Sequence, residues 1–276
     1  MSFKYFSLNG VVRPTEEATV PVSNIEYSYG FGVYETIRVT GRVTFFIDEH
    51  LERLMESARI IGLEHEFTPR AVETFISDLI AKNIVETCNL KILLIGATKK
   101  EDVQLFILCL NPLFPDKKMY RDGASFVTYD YERAFPHAKT LNMLQSYLAY
   151  CKAKQAGCYD ALLVNRSGHI TEGTRTNFFT IKDRTIFTPR EHEILIGVTR
   201  TAVLKVAEQN GFTIQEQDIS LGDIQKYDGA FITSTSSKII PVRSIGAETL
   251  SEPPAALREL MQQFDKFLDS CGGKLR

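Results

Sequence analysis

Two hydrophobic periods alternate along the chain and divide it into strands and helices. Phe3 to Leu8, the Asn9-Gly10 pair and Val11-Val12 read as a hairpin. Tyr34 to Val39 and Arg42 to Ile47 are rich in β-branched and aromatic residues around Thr40-Gly41, which predicts a second hairpin. Asp48 is the expected cap of a helix carrying Leu51, Leu54, Met55, Ala58 and Ile61 on one face and ending near Gly62. Thr68-Pro69 starts another helix, and strands follow at Lys91 to Ile95 and Gln104 to Leu110.

Residues 111–123 hold two prolines, a charge cluster and a glycine, and the periodicity breaks on both sides of them. This predicts a small N-terminal α+β domain over residues 1–115, a linker over 116–123 and a larger mixed domain over 124–276. In the second domain a strand from Ser125 precedes a helix. Leu141, Leu144, Leu148 and Cys151 recur there at helical spacing, Thr140 is its expected cap, and Lys139 stands just before its start. Short strands follow at Ala161 to Val164, His169 to Thr171, Phe178 to Ile181, Thr185 to Phe187 and Ala230 to Thr233. A helix is expected from Val198 to Gln209, and the closing helix carries Leu257, Leu260, Met261, Phe264 and Phe267 on one face.

Composition narrows the class. A formal charge of -2 without a dense basic run argues against nucleic acid. No segment approaches the roughly 20 apolar residues of a membrane helix, and the five cysteines show no metal-ligand spacing. A soluble protein of the reducing cytoplasm, without a structural metal, is the expectation.

Several residues are able to carry chemistry. A lysine at a helix start is oddly placed, because cations favour the opposite end, and a desolvated lysine is a candidate Schiff-base nucleophile; a solvated surface lysine is the ordinary reading of Lys139. Glu172 precedes Gly173 at a strand end, where a solvated hairpin carboxylate is the plain alternative. Gly197-Val198-Thr199-Arg200 opens a helix after an apolar run, a phosphate-shaped feature for which ordinary helix capping is the plainer reading. Thr233 to Ser237 supplies five consecutive hydroxyls, which serve either as a polar loop or as anion ligands.

Taken in order, GFGVYETIRV, EHLERLMESA, AKTLN, ITEGTRTNFF, GVTR and TSTSSKIIPV resemble the class IV aminotransferases. These are fold type IV pyridoxal-phosphate enzymes, which include D-amino-acid transaminases, branched-chain aminotransferases and aminodeoxychorismate lyases. The resemblance implies a two-domain α+β fold of the D-amino-acid-aminotransferase-like kind, with pyridoxal 5′-phosphate in the C-terminal domain. It implies that Lys139 holds the cofactor as an aldimine and shuttles the proton between substrate Cα and cofactor C4′, by way of a pyridoxamine phosphate intermediate. It further implies that Glu172 faces the pyridine nitrogen, that Arg53 binds the phosphate with Val198, Thr199 and Thr235, and that the protein is a homodimer. Arg53 has no support from helical geometry, since it lies opposite the Leu51/Leu54/Met55 face, where a solvated charge is the ordinary case.

Substrate choice is less direct. The strand ending Ile95-Gly96-Ala97 lacks the family's arginine-glycine signature, whose arginine often receives a substrate carboxylate. Arg175 is the expected replacement, a surface ion pair being its alternative, with Tyr29, Tyr34 (for which core packing is the ordinary reading) and Ser236 as further pocket candidates and Arg38 either nearby or paired on its strand. Ile196 and Lys238 also depart from the family's pattern. The expected reaction moves an amino group between a small amino acid and a 2-oxo acid, D-amino acids standing slightly ahead of branched-chain L-amino acids. An aminodeoxychorismate lyase releasing pyruvate and a non-catalytic cofactor-binding protein are the alternatives.

Overall fold

The computed structural model describes residues 3–112 and 114–272. They form two compact units, the first of residues 3–112 and 137–143, the second of 114–136 and 144–272.

The first unit begins with strands β1 (Tyr5–Leu8) and β2 (Val11–Pro14), joined as expected at Asn9-Gly10. A one-turn helix α1 (Ile25–Ser28) precedes strands β3 (Gly32–Thr40) and β4 (Val43–Thr44), helices α2 (Ile47–Ile60) and α3 (Pro69–Asn83), and strands β5 (Thr87–Ile95) and β6 (Gln104–Leu110). The six-stranded sheet has the order β2-β1-β6-β5-β3-β4. Side chains alternate between its faces. Val33, Ile37, Leu90, Ile92 and Leu94 pack against Leu51, Leu54, Ala58, Val72, Ile76 and Leu79 of the two helices. Tyr34, Thr36, Lys91 and Leu93 belong to the other face, where Phe6, Ile95 and Phe106 form a smaller cluster with Leu141.

One local expectation is corrected in this unit. Asp48 does not cap α2: Phe46 does so in a left-handed conformation, because Phe45 N–H still pairs with Arg38 C=O and the helix begins directly after that rung. The caps of α3 are as expected, with Thr68 accepting from Ala71 N–H and Pro69 in the first turn.

In the second unit the segment expected as a linker contains helix α4 (Lys117–Asp122), started by the Asp116 carboxylate accepting from Lys118 N–H; Leu113 lies outside the described residues. Strand β7 (Ala124–Asp130), helix α5 (Leu144–Gln155), strands β8 (Asp160–Val164), β9 (Ile170–Gly173), β10 (Asn177–Lys182) and β11 (Thr185–Thr188), and helix α6 (Val198–Gln209) follow. Strands β12 (Thr213–Glu216), β13 (Gly229–Ser234), β14 (Lys238–Ile245) and β15 (Glu248–Thr249) lead to helix α7 (Ala255–Gly272). The nine-stranded sheet runs β12-β11-β10-β13-β14-β7-β8-β9 with β15 paired to β14, and a rung between β9 and β10 closes β10, β13, β14, β7, β8 and β9 into a ring.

The helix expected to begin beside Lys139 is also corrected: α5 starts at Leu144. Its buried positions are Ser146, Ala149 and Ala153, which pack on β7 and β8, whereas Leu144 and Leu148 are 63% and 44% exposed. Small side chains allow the helix to lie close to the sheet. The leucines therefore mark the outer face.

Candidate active site

Lys139 sits at a tight turn, where Thr140 N–H donates to Ala138 C=O at 3.0 Å, and the segment is bridged to β3. Tyr34 N–H donates to Lys139 C=O at 2.9 Å and Leu141 N–H donates to Gly32 C=O at 2.8 Å, forming an antiparallel bridge between Val33 and Thr140. Lys139 N–H donates to Ser57 Oγ of α2 at 3.1 Å. This pairing uses the backbone groups that a helix start would need, so Thr140 is a bridge residue and not a cap. Gly32 permits the approach: a Cβ there would lie 2.6 Å from Leu94 O and 2.7 Å from Leu141 Cδ1.

The Lys139 ammonium lies 4.7 Å from the centre of the Tyr34 ring, and the Lys91 ammonium lies 3.5 Å from the same centre. Tyr34 is buried, with its hydroxyl 3.7 Å from Met143 Sδ. Lys91 was not expected. Only the register of β3 against β5, which sets Lys91 opposite Thr36 on the Tyr34 face, brings it here. Arg38, one step further along that face, directs Nε to Thr40 Oγ1 at 3.2 Å. The ring of Tyr29 is 78% exposed.

On the helix-covered face, Arg53 is far from the solvated charge expected of it. Its side chain is 12% exposed and grips Glu35 with two bonds, Nε to Oε1 at 2.6 Å and Nη2 to Oε2 at 2.9 Å. Glu35 is fully buried and also bonds His50 Nδ1 at 2.8 Å and Thr36 N–H at 3.1 Å. Burial pushes the Glu35 carboxyl up, but the Arg53 charge and the His50 contact together outweigh it and hold the group well below the usual carboxylate range. Burial pushes the His50 imidazole down, with Glu35 opposing. A buried carboxylate with this many donors fixes the Arg53 guanidinium in place. Glu35 and His50 went unnoticed in sequence, although one lies in VYET and the other in EHLER.

In the second unit Glu172 is buried within β9, so the solvated alternative fails. Arg133 Nε donates to its Oε1, and Leu195 N–H donates to Oε2 at 3.3 Å. Arg133 is braced by Ser146 Oγ at 3.2 Å and Thr174 C=O at 3.0 Å. The 39 residues separating Arg133 from Glu172 gave no local signal of the pair. An ionised carboxylate accepts about four hydrogen bonds, so these two donors leave room for a protonated ring nitrogen.

Helix α6 starts at Gly197 without a side-chain cap, and Val198 and Thr199 in its first turn are buried. A Cβ at position 197 would fall 2.1 Å from Asn177 Oδ1, and Asn177 Nδ2 is itself bonded to Leu195 C=O at 2.7 Å. An uncapped helix N-terminus of this length suits a phosphate. Thr235 and Ser236 form the turn between β13 and β14, where Ser234 Oγ accepts from Ser237 N–H at 3.1 Å. Arg175 is exposed, with its guanidinium 4.6 Å from the Tyr150 ring centre. No cluster of three or more metal-ligating side chains is present among the described residues. No helix among them is long and apolar enough to cross a membrane.

In the first unit a lysine anchored by its backbone, and in the second a buried carboxylate and an uncapped helix start, are each of a type that suits a phosphorylated pyridine aldehyde. The pattern of the family Amino-transferase class IV matches residues 32–245, and the chain belongs to that family of pyridoxal-phosphate-dependent transaminases. It is 31% identical to the D-alanine aminotransferase of Bacillus licheniformis over 267 residues, covering 92% of this chain and 93% of that one. A branched-chain amino acid aminotransferase from T.th., solved with pyridoxamine 5′-phosphate, superposes with a TM-score of 0.89 at 25% identity, covering 99% of this chain and 95% of that one. The Escherichia coli branched-chain amino acid aminotransferase gives 0.87 at 26% identity, with 95% and 93% covered.

Proposed function

We propose that this enzyme moves the amino group of a small amino acid to a 2-oxo acid, with D-amino acids as the preferred donors. The observation that carries this reading is Lys139, whose backbone is pinned to β3 and α2 while its ammonium lies at the Tyr34 ring. Bound pyridoxal phosphate supplies a cationic ring that accepts the electron pair left on the substrate Cα. Lys139 would hold the cofactor through its amine and, once the substrate's amine has taken that place, would be free to move a proton at the substrate Cα. Glu172, steadied by Arg133, keeps the ring nitrogen protonated. Arg53 and Thr235, with the first-turn residues Val198 and Thr199, hold the phosphate. Tyr29, Tyr34, Arg175 and Ser236 border the substrate.

The likeness to the Bacillus licheniformis enzyme supports the D-amino-acid preference. The likeness to the two solved branched-chain enzymes favours the second reading, an aminotransferase of branched-chain L-amino acids. A homodimer agrees with the apolar run Val22, Ile25, Tyr27 and Tyr29, which is exposed in the single chain. The five free cysteines agree with a cytoplasmic location.

The test is the absorbance of the purified holoenzyme during separate additions of D-alanine, D-glutamate, L-leucine and L-glutamate. Conversion to the amine form of the cofactor by the D-enantiomers is the expected result. Conversion by L-leucine alone would establish the second reading, and no response to any donor would refute transamination.

A further inference from the structure

We infer that Lys91 is the cation that receives a substrate carboxylate in this enzyme. The inference rests on the transaminase reading of Lys139 and adds a specificity-determining residue to it. In an amino acid the carboxylate carbon is two bonds from the amino nitrogen, which puts the carboxylate oxygens within about 3–4 Å of that nitrogen. Any donor whose nitrogen exchanges with the Lys139 nitrogen therefore brings its carboxylate close to that lysine. The ammonium of Lys91 is in the same neighbourhood: it lies 3.5 Å from the Tyr34 ring centre that Lys139 approaches to 4.7 Å, so the two nitrogens are within about 8 Å of each other, a span that one carboxylate and its Cα can cover.

Three features of the unit favour this role over an incidental strand lysine. Lys91 is the one cation in β5. It is only half-buried, on the sheet face opposite the helices. Further along, the strand leaves no room for a substitute. Gly96 N–H donates to Phe31 C=O, and a Cβ at position 96 would fall 2.3 Å from Phe31 Cδ1, so the Phe31 ring fills the volume a longer side chain would need. Lysine is suited to a point-charge contact, its flexible stem following either a planar or a tilted carboxylate.

The carboxylate is the α-carboxylate of every donor or the side-chain carboxylate of a dicarboxylic one, and steady-state kinetics separate the two. Lys91→Met and Lys91→Arg holoenzymes are compared with wild type, using D- and L-alanine and D- and L-glutamate with matched 2-oxo acids. Loss of a hydrogen bond to a charged group corresponds to about a 10- to 100-fold rise in KM. That rise is expected in Lys91→Met with cofactor content and the pH optimum of kcat unchanged, and Lys91→Arg should recover most of it. A rise for both donor types identifies the α-carboxylate; a rise for glutamate alone identifies the side chain. Direct binding of glutarate to the holoenzyme, followed by calorimetry, should weaken in parallel. Unchanged KM and glutarate affinity in Lys91→Met would overturn the inference, as would a shifted pH optimum with KM intact, which is the signature of charge tuning at Lys139. A rise confined to Arg175→Ala would also overturn it. A wild-type enzyme inert to every donor would instead refute the underlying reading.

Discussion

Glu35→Gln removes one negative charge from the interior of the first unit while keeping the shape of the side chain. The carboxylate holds Arg53 through two bonds of 2.6 and 2.9 Å and His50 through one of 2.8 Å, and it is fully buried. An amide there turns an N–H2 group toward at least one of these donors and leaves the guanidinium charge uncompensated. Breaking a buried pair from one side costs about 3–5 kcal/mol, and the retained shape argues for the lower end. At about 2–4 °C per kcal/mol for a domain of 150–250 residues, the midpoint of thermal unfolding should fall by roughly 6–12 °C. The dependence on pH is a second constraint. The native carboxyl titrates below its unfolded value of about 4.3, so its stabilisation is complete above that pH and drains away as pH falls through the native value. The gap between wild type and variant should therefore be widest near neutrality and shrink in acid. His50 has the same sign in both proteins: burial depresses its pKa, so the stabilisation of its neutral form is present above about pH 6.5 and lost below it. Thermal melts followed by circular dichroism between about pH 7 and pH 3 measure both effects. Equal melting near neutrality, or a gap that widens in acid, would refute the reasoning.

Three other outcomes are expected. Glu172→Gln should lower kcat by about 10²-fold or more while the protein still folds, because an amide does not hold the ring nitrogen protonated; normal turnover would remove Glu172 from the site. Gly197→Ala drives a methyl group into Asn177 Oδ1 and should weaken pyridoxal phosphate more than pyridoxal, by about 1–3 kcal/mol. Fluorescence titration of the apoenzyme with both compounds reads that difference, and equal losses would count against a phosphate at the start of α6. Ala149→Leu should destabilise by about 1–3 kcal/mol in urea, whereas Leu144→Ser should stay within about 0.5 kcal/mol, as the burial of α5 requires.

Local chemistry was legible where neighbours along the chain decide the structure. The Asn9-Gly10 hairpin, the Thr68-Pro69 start of α3 and the span of α6 all follow from residues within a few positions of one another. Long-range pairing was not legible. The leucines near Lys139 have helical spacing, but the preceding segment bridges to β3, and the small residues of α5 face its sheet. Arg53 looked solvated because its partner lies on a strand 18 residues earlier. Lys91 depends on strand register, and Arg133 on a contact 39 residues away. The identity of the chemistry came from motif order, and the supporting charges came from the fold.

The bridge that fixes Lys139 also makes chain length a determinant of chemistry. Because Lys139 C=O is held by Tyr34 N–H and Leu141 N–H by Gly32 C=O, inserting or deleting one residue between Ala138 and Leu141 would pull either Lys139 or Leu141 out of its bond. The lysine could remain in the sequence, yet the amine would lose its fixed place at Tyr34. Evolution is free to vary the residues of this stretch more readily than their number, and a designer moving the site to another scaffold must copy a count as well as a motif.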